Sequence, residues 1–192
     1  MGIPKTRYDR FNYADYSSWD DAKRWEIING IAYDMTPAPN TEHQRISMRL
    51  SIAIGKFLEG KLCSVFSAPF DVRLAEKSKT DEETINIVQP DILVICDQSK
   101  IDERGIKGAP DWIIEITSPS TLKHDFGTKL LLYQEFGVRE YWIADPSTKK
   151  INVYRLNNFG KYTPGLIFQE DENIGVSIFP DFTMNLREIF GF

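Results

Sequence analysis

Pro90-Asp91-Ile92-Leu93-Val94-Ile95 and Trp112-Ile113-Ile114-Glu115-Ile116-Thr117 are the two segments on which the fold turns. Each is an apolar run of the length of a strand covered on both faces, and each carries a single acid at one end. Asp91 opens the first run and Glu115 closes the second. An ionised carboxylate embedded in a core strand needs a partner. If the two strands are neighbours, the carboxylates converge and raise each other's pKa unless a cation lies between them. Mg2+ is bound in this way, by one or two carboxylates completed with water. Taken singly, either acid is equally well read as a strand-end residue turned to solvent.

Outward from these runs the chain reads as alternating elements. Trp25 to Ile28 and Ile31 to Met35 flank Asn29-Gly30, the dipeptide suited to the positive φ angles of a tight turn, so a β-hairpin is expected. Before it, Ser17 to Lys23 offers a helix start with Ser18 or Asp20 as cap. After the Pro-Ala-Pro segment at 37–39, Ile46, Leu50, Ile54, Phe57 and Leu58 keep a helical period, with Asn40 or Thr41 as cap and Gly60 as stop. Three strands are expected within Cys63–Phe66, Phe70–Leu74 and Ile85–Cys96, with Lys77 to Glu83 as a solvated loop. Lys100 to Ala109 reads as a polar connection. Thr121 to Phe136 reads as a helix closed by Gly137, Glu140 to Ala144 as another strand, and the tail as strands around Asn157 to Gly160 with a short helix at Leu186 to Phe190. This order predicts an α/β (α+β) fold, a mixed sheet core flanked by helices, in one domain over 1–192.

Composition agrees with a packed core: 42% hydrophobic and 27% charged residues are ordinary values for a globular chain. No apolar run is long enough to span a bilayer, and the start, Met1 to Asp15, is polar and aromatic rather than signal-like, which places the protein in the cytoplasm. Cys63 and Cys96 sit in apolar runs without metal-type spacing and are read as buried core thiols. The net charge of −5 opposes bulk attraction to nucleic acid, though a local basic groove is compatible with it. No phosphate-binding glycine loop or nucleophile elbow is present.

Glu115-Ile116-Thr117-Ser118-Pro119-Ser120-Thr121 follows Pro90-Asp91 with a loop between and a helix after. That arrangement resembles the PD-(D/E)XK nuclease superfamily. Trp25-Glu26-Ile27-Ile28-Asn29-Gly30, Lys129 with Tyr133, and Gly137-Val138-Arg139-Glu140-Tyr141-Trp142-Ile143-Ala144-Asp145-Pro146 narrow the resemblance to the Uma-two family of restriction endonuclease-like proteins. The resemblance covers most of the chain from Trp25 to Pro146. It implies a restriction endonuclease-like fold and a Mg2+- or Mn2+-dependent endonuclease acting on DNA, with homodimers expected among related proteins. It implies Asp91, Glu115 and the carbonyl of Ile116 as metal ligands, and Glu26 as an acid supplied by the N-terminal part.

One position departs from the pattern. The motif's lysine belongs two residues after the glutamate, on the same strand face, and that residue is Thr117. Members resembling this chain are thought to recruit a lysine from the following helix. Lys129 is the first candidate and Lys123 the second, with Asp125 able to tether Lys129 across one helical turn. Lys129 is equally readable as an exposed helix residue, Glu26 as a half-exposed flank of the hairpin, and Ser118 to Thr121 as a helix cap. His43 is a candidate neighbour of the site, and His124 reads as a surface residue. Lys100, Arg104, Lys107, Lys123 and Lys129 are candidates for a phosphate-contacting groove. The alternative to an enzyme is a catalytically silent scaffold of the same fold that binds a protein or nucleic-acid partner.

Overall fold

The computed structural model describes residues 9–20, 23–35 and 38–191. The polar start at 1–8 and residue 37 of the Pro-Ala-Pro segment lie outside the described residues. In chain order the elements are α1 (Tyr13–Ser17), the hairpin β1 (Trp25–Ile28) and β2 (Ile31–Asp34), and the long helix α2 (Thr41–Leu58). Next come β3 (Ser64–Ser67), β4 (Val72–Arg73), β5 (Ile87–Val88) and β6 (Ile92–Ile95). The pair β7 (Ile101–Asp102) and β8 (Gly105–Lys107) precedes β9 (Trp112–Ile116). A π-helical turn, His124–Lys129, runs into α3 (Leu130–Glu135), followed by β10 (Glu140–Asp145), β11 (Lys150–Arg155) and β12 (Leu166–Gln169). The hairpin β13 (Asn173–Val176) and β14 (Phe179–Asn185) leads to α4 (Leu186–Phe190).

The strands form two six-stranded sheets, ordered β2-β1-β5-β4-β8-β7 and β12-β11-β10-β9-β6-β3, with β13 and β14 paired separately. Strand β9 lies inside the second sheet, parallel to β10 and antiparallel to β6. Its side chains divide by the period of two: Trp112, Ile114 and Ile116 enter the core beneath α2, β13, β14 and α4, whereas Ile113 enters the core shared with the first sheet and α3. Glu115 has the parity of Ile113. The same count puts Asp91 on the face of Leu93 and Ile95, and Glu26 on the face of Ile28, all members of that second core. Each acid therefore points into the layer between the two sheets.

Local chemistry explains most elements. Asn29 and Gly30 take φ of 51° and 76°, as the hairpin turn requires. Asn40 caps α2 by accepting from the N–H of His43, and Ile46, Leu50, Ile54 and Leu58 form its buried stripe. Four readings from sequence are corrected. The first helix starts earlier than expected, because Asn12 and Asp15 form a reciprocal capping box that Ser18 and Asp20 do not match. The run from Ile85 to Cys96 is two strands, since Pro90 lacks the N–H a ladder needs and the chain crosses there from the first sheet to the second. Lys100 to Ala109 holds the β7-β8 hairpin. Cys63 and Cys96 are joined in a disulfide. They stand opposite one another at the end of the β3-β6 ladder, directly beyond Ser64 and Ile95, a proximity set by strand register and invisible in sequence spacing. No helix among the described residues is long and apolar enough to cross a membrane.

Candidate active site

The antiparallel register of β6 and β9 pairs Ile92 with Ile114, so Asp91 and Glu115 occupy the next opposed positions. Asp91 is fixed by its own neighbourhood: its Oδ2 accepts the N–H of Ile116 at 2.8 Å and lies 3.2 Å from Nε2 of His43. The N–H of Thr117 donates to Ala144 on the β10 side, so Ile116, one residue earlier, turns its N–H and its carbonyl toward Asp91. His43 thus sits beside the site, delivered by the first turn of α2.

Glu115 is 4% exposed and its Oε1 is doubly bonded, by Nζ of Lys129 at 2.9 Å and by the hydroxyl of Tyr133 at 2.7 Å. Lys129 is 2% exposed and reaches Oε1 of Glu26 at 2.9 Å as well. Glu26 is fully buried and also accepts the N–H of Gln89 at 2.9 Å. One ammonium therefore bridges a carboxylate from each sheet. The bland readings of Glu26 as half-exposed and of Lys129 as a surface residue are both overturned by this burial.

The π-helical turn helps supply the lysine. Within it Asp125 and Lys129 are both buried, and Tyr133, one turn on, falls on the same side. Such turns occur mostly as local insertions in α-helices, often at functional sites. Asp125 does not tether Lys129 by a direct ion pair among the described residues, which reserve the ammonium for Glu26 and Glu115. Lys123, the second candidate, is exposed. Thr117, two residues past Glu115, is 3% exposed and lies 3.3 Å from the Thr121 hydroxyl. The Ser118–Thr121 segment is knitted to itself by hydroxyl and backbone bonds, as a turn leading into the helix.

Electrostatics follow from the count of charges. Burial pushes the Glu115 carboxyl up to about 8; Lys129 opposes this, while Asp91, Asp125 and Glu26 reinforce it. Burial also disfavours charge on Lys129, but Glu115, Glu26 and Asp125 outweigh it and hold its pKa above the ordinary lysine value. Asp125 is raised by burial. One ammonium cannot neutralise four neighbouring carboxylates. A divalent cation would meet the surplus negative charge.

The donor set fits a hard cation. Asp91 Oδ1 and Glu115 Oε2 take no hydrogen bond from a described residue. No three His, Cys, Asp or Glu side chains among the described residues form a metal cage by themselves. Two carboxylates, a backbone carbonyl and water match the habit of Mg2+ or Mn2+ better than that of Zn2+. Approach is by the rim, where the Asp91 and His43 side chains are 19% and 12% exposed. Open depressions of about 410 and 400 Å³ lie elsewhere and include none of these residues.

The remaining basic candidates are dispersed. Arg104 pairs with Asp81 at 2.6 Å, Lys100 donates to the Ala109 carbonyl, and Lys107 to that of Lys79, all around the β7-β8 hairpin at the far edge of the first sheet. Of the five, only Lys129 joins the carboxylates.

Residues 13–187 match the model of the Uma2 family, described as "Putative restriction endonuclease". The chain belongs to the Uma2 family. The match extends beyond the Trp25–Pro146 stretch that carried the resemblance, taking in α1 and the C-terminal strands. An uncharacterised Synechocystis protein is 25% identical over 162 residues, covering 83% of this chain and 81% of its own. A crystal structure from Anabaena variabilis, described as a "putative nuclease belonging to DUF820", superposes with a TM-score of 0.74 at 20% identity over 94% of this chain and 97% of that one. This likeness establishes the restriction endonuclease-like fold of mixed sheets flanked by helices.

Sequence reasoning left three participants of this Uma2 site without roles. Tyr133 was legible as a helix-face neighbour of Lys129 but not as a donor to Glu115. The Gln89 N–H is backbone and carries no signal. His124, read as a surface residue, is half-buried beside Glu26.

Proposed function

We propose that this Uma2 chain is a Mg2+- or Mn2+-dependent endonuclease that hydrolyses DNA phosphodiester bonds, with Asp91, Glu115 and the Ile116 carbonyl as metal ligands and Glu26 and Lys129 as further catalytic residues. The observation that carries this reading is Lys129 Nζ at 2.9 Å from Glu115, because it supplies from the helix the positive charge that Thr117 lacks. The bound cation would lower the pKa of a water and neutralise charge on the phosphoryl oxygens. Asp91 and Glu115 present free oxygens, Asp91 being held in orientation by His43 and the Ile116 N–H. Lys129, held as an ammonium, serves as a fixed positive charge for the developing phosphorane rather than as a base. Glu26 anchors the ammonium from the opposite sheet.

Family membership supports the nuclease class, and DNA is the substrate that the family description implies. Supercoiled plasmid incubated with Mn2+ tests the reading: wild type nicks it, and Asp91→Ala and Glu115→Ala do not. Nicking unaltered in both variants contradicts it. A silent scaffold is the second reading, favoured by the near-complete burial of Lys129 and Glu115. Metal-dependent nicking that disappears in Lys129→Ala, in a variant that remains folded, rules the scaffold out. If the chain pairs into a homodimer, the edge strand β12 with exposed Leu166 and Ile167 is one surface for it.

A further inference from the structure

Two buried polar atoms in the site face each other without a hydrogen-bond partner among the described residues. Oε2 of Glu26 and Nε2 of His124 are both solvent-inaccessible, neither hydrogen-bonds to a described residue, and they lie 4.0 Å apart. Buried groups left in this condition are rare in native proteins, and each calls for an explanation. The other oxygen of Glu26 is fully engaged by Lys129 and the Gln89 N–H, so Oε2 is the only part of that carboxylate able to respond to a change nearby.

His124 is placed to make such a change. Its ring packs on Tyr33, centroids 4.7 Å apart, and Tyr33 stands opposite Glu26 in the β1-β2 register. The imidazole is thereby held over the carboxylate from the π-helical turn, while its side chain remains 23% exposed. It joins a sealed carboxylate to solvent.

We propose that His124 is a positioning residue for Glu26: its Nε2–H is the donor for the unpaired Oε2, direct or through one water, and its charge state sets how firmly Glu26 holds Lys129. A neutral ring leaves the ammonium shared between Glu26 and Glu115. An imidazolium competes with Lys129 for Glu26 and displaces the ammonium toward Glu115. The charged groups acting on the ring are Glu26 across the gap, and Lys129 and Asp125 on its own turn; Tyr33 from β2 contributes packing without charge. Burial and Lys129 lower the His124 pKa while Glu26 and Asp125 raise it, and the balance lies below the ordinary imidazole value. The catalytic consequence rests on the nuclease reading, whereas the coupling between ring and carboxylate does not.

The test is an NMR titration of the full chain, which has only two histidines, with His124 assigned by its absence in His124→Asn. Two readouts decide it. Glu26→Gln lowers the His124 midpoint by about one pH unit, the scale of an opposite charge lost within a few ångströms. The Glu26 carboxyl carbon shows a step at the His124 midpoint that His124→Asn removes, a readout independent of whether Glu26→Gln folds. An unmoved midpoint and a carboxyl carbon without that step overturn the proposal. Where nicking is measurable, His124→Asn removes the acid-side step of the kcat profile with little change in KM. A uniform loss at every pH with the profile unaltered reveals a merely structural role and also overturns it. A wild-type chain that nicks nothing contradicts the nuclease reading and leaves the titration to decide the coupling.

Discussion

At the residue scale, the account depends on Lys129 as the shared partner of Glu26 and Glu115. Removing one member of a buried ion pair costs more than its attraction alone, because the remaining charge is stranded in a medium that solvates it poorly. Lys129→Ala is expected to destabilise the fold by about 3–5 kcal/mol in urea unfolding without any metal. A surface lysine would cost almost nothing. Glu115 gives the pH dependence. Burial pushes its pKa up to about 8 in the folded chain from an ordinary 4.5, so between these values the unfolded chain holds fewer protons, and stability from this group, complete below 4.5, is lost as pH rises through 8. Asp125, also raised, acts in the same sense. His124, lowered, acts oppositely and only below the ordinary imidazole value of 6.5. Thermal melts from pH 6.5 to 8 are therefore expected to show a fall worth about 2 kcal/mol that Glu115→Gln flattens and Mn2+ at pH 8 reverses. At this scale the sequence showed the costly acids, because an acid inside an apolar run is conspicuous. It did not show the burial of Glu26, whose position beside a hairpin turn reads as a half-exposed edge until β5 covers it.

At the element scale, strand register determines what meets. The β6-β9 register opposes Asp91 and Glu115, and the β3-β6 register opposes Cys63 and Cys96. Both pairs join residues distant in sequence, yet only the first had a signal, since two acids in core strands demand a partner and two cysteines in apolar runs do not. The disulfide closes a sequence separation of 33 residues, for which chain entropy predicts about 3–4 kcal/mol. Melting in dithiothreitol is expected to lower Tm in wild type and leave the Cys63→Ser/Cys96→Ser double variant unchanged; equal Tm values for wild type in both conditions contradict this. The helical element was legible in position but not in pitch. Apolar spacing from Thr121 to Phe136 indicates a helix, whereas the π turn at His124–Lys129, from which Lys129 meets two buried carboxylates, leaves no mark in that spacing.

At the scale of the whole molecule, the site lies in the layer between the two sheets, and Pro90 marks the crossing from one to the other. Glu26 comes from the first sheet, Asp91 from the crossing, Glu115 from the second sheet and Lys129 from the helix beside it. Order of elements and hydrophobic period sufficed to indicate a mixed α and β fold; the division into two sheets did not follow, because β4, β5, β7 and β8 are too short to carry a pattern of their own. The net charge is −5 and, among the described residues, the candidate basic side chains are dispersed, so metal at the carboxylates carries more of the functional case than electrostatic attraction to DNA does. Diffraction from a crystal of the chain soaked in Mn2+ and measured at the manganese absorption edge tests this most directly. The account predicts an anomalous peak within about 2.5 Å of Asp91, Glu115 and the Ile116 carbonyl, absent from Glu115→Ala. A saturating soak that places manganese elsewhere, or leaves those oxygens without a peak, contradicts it.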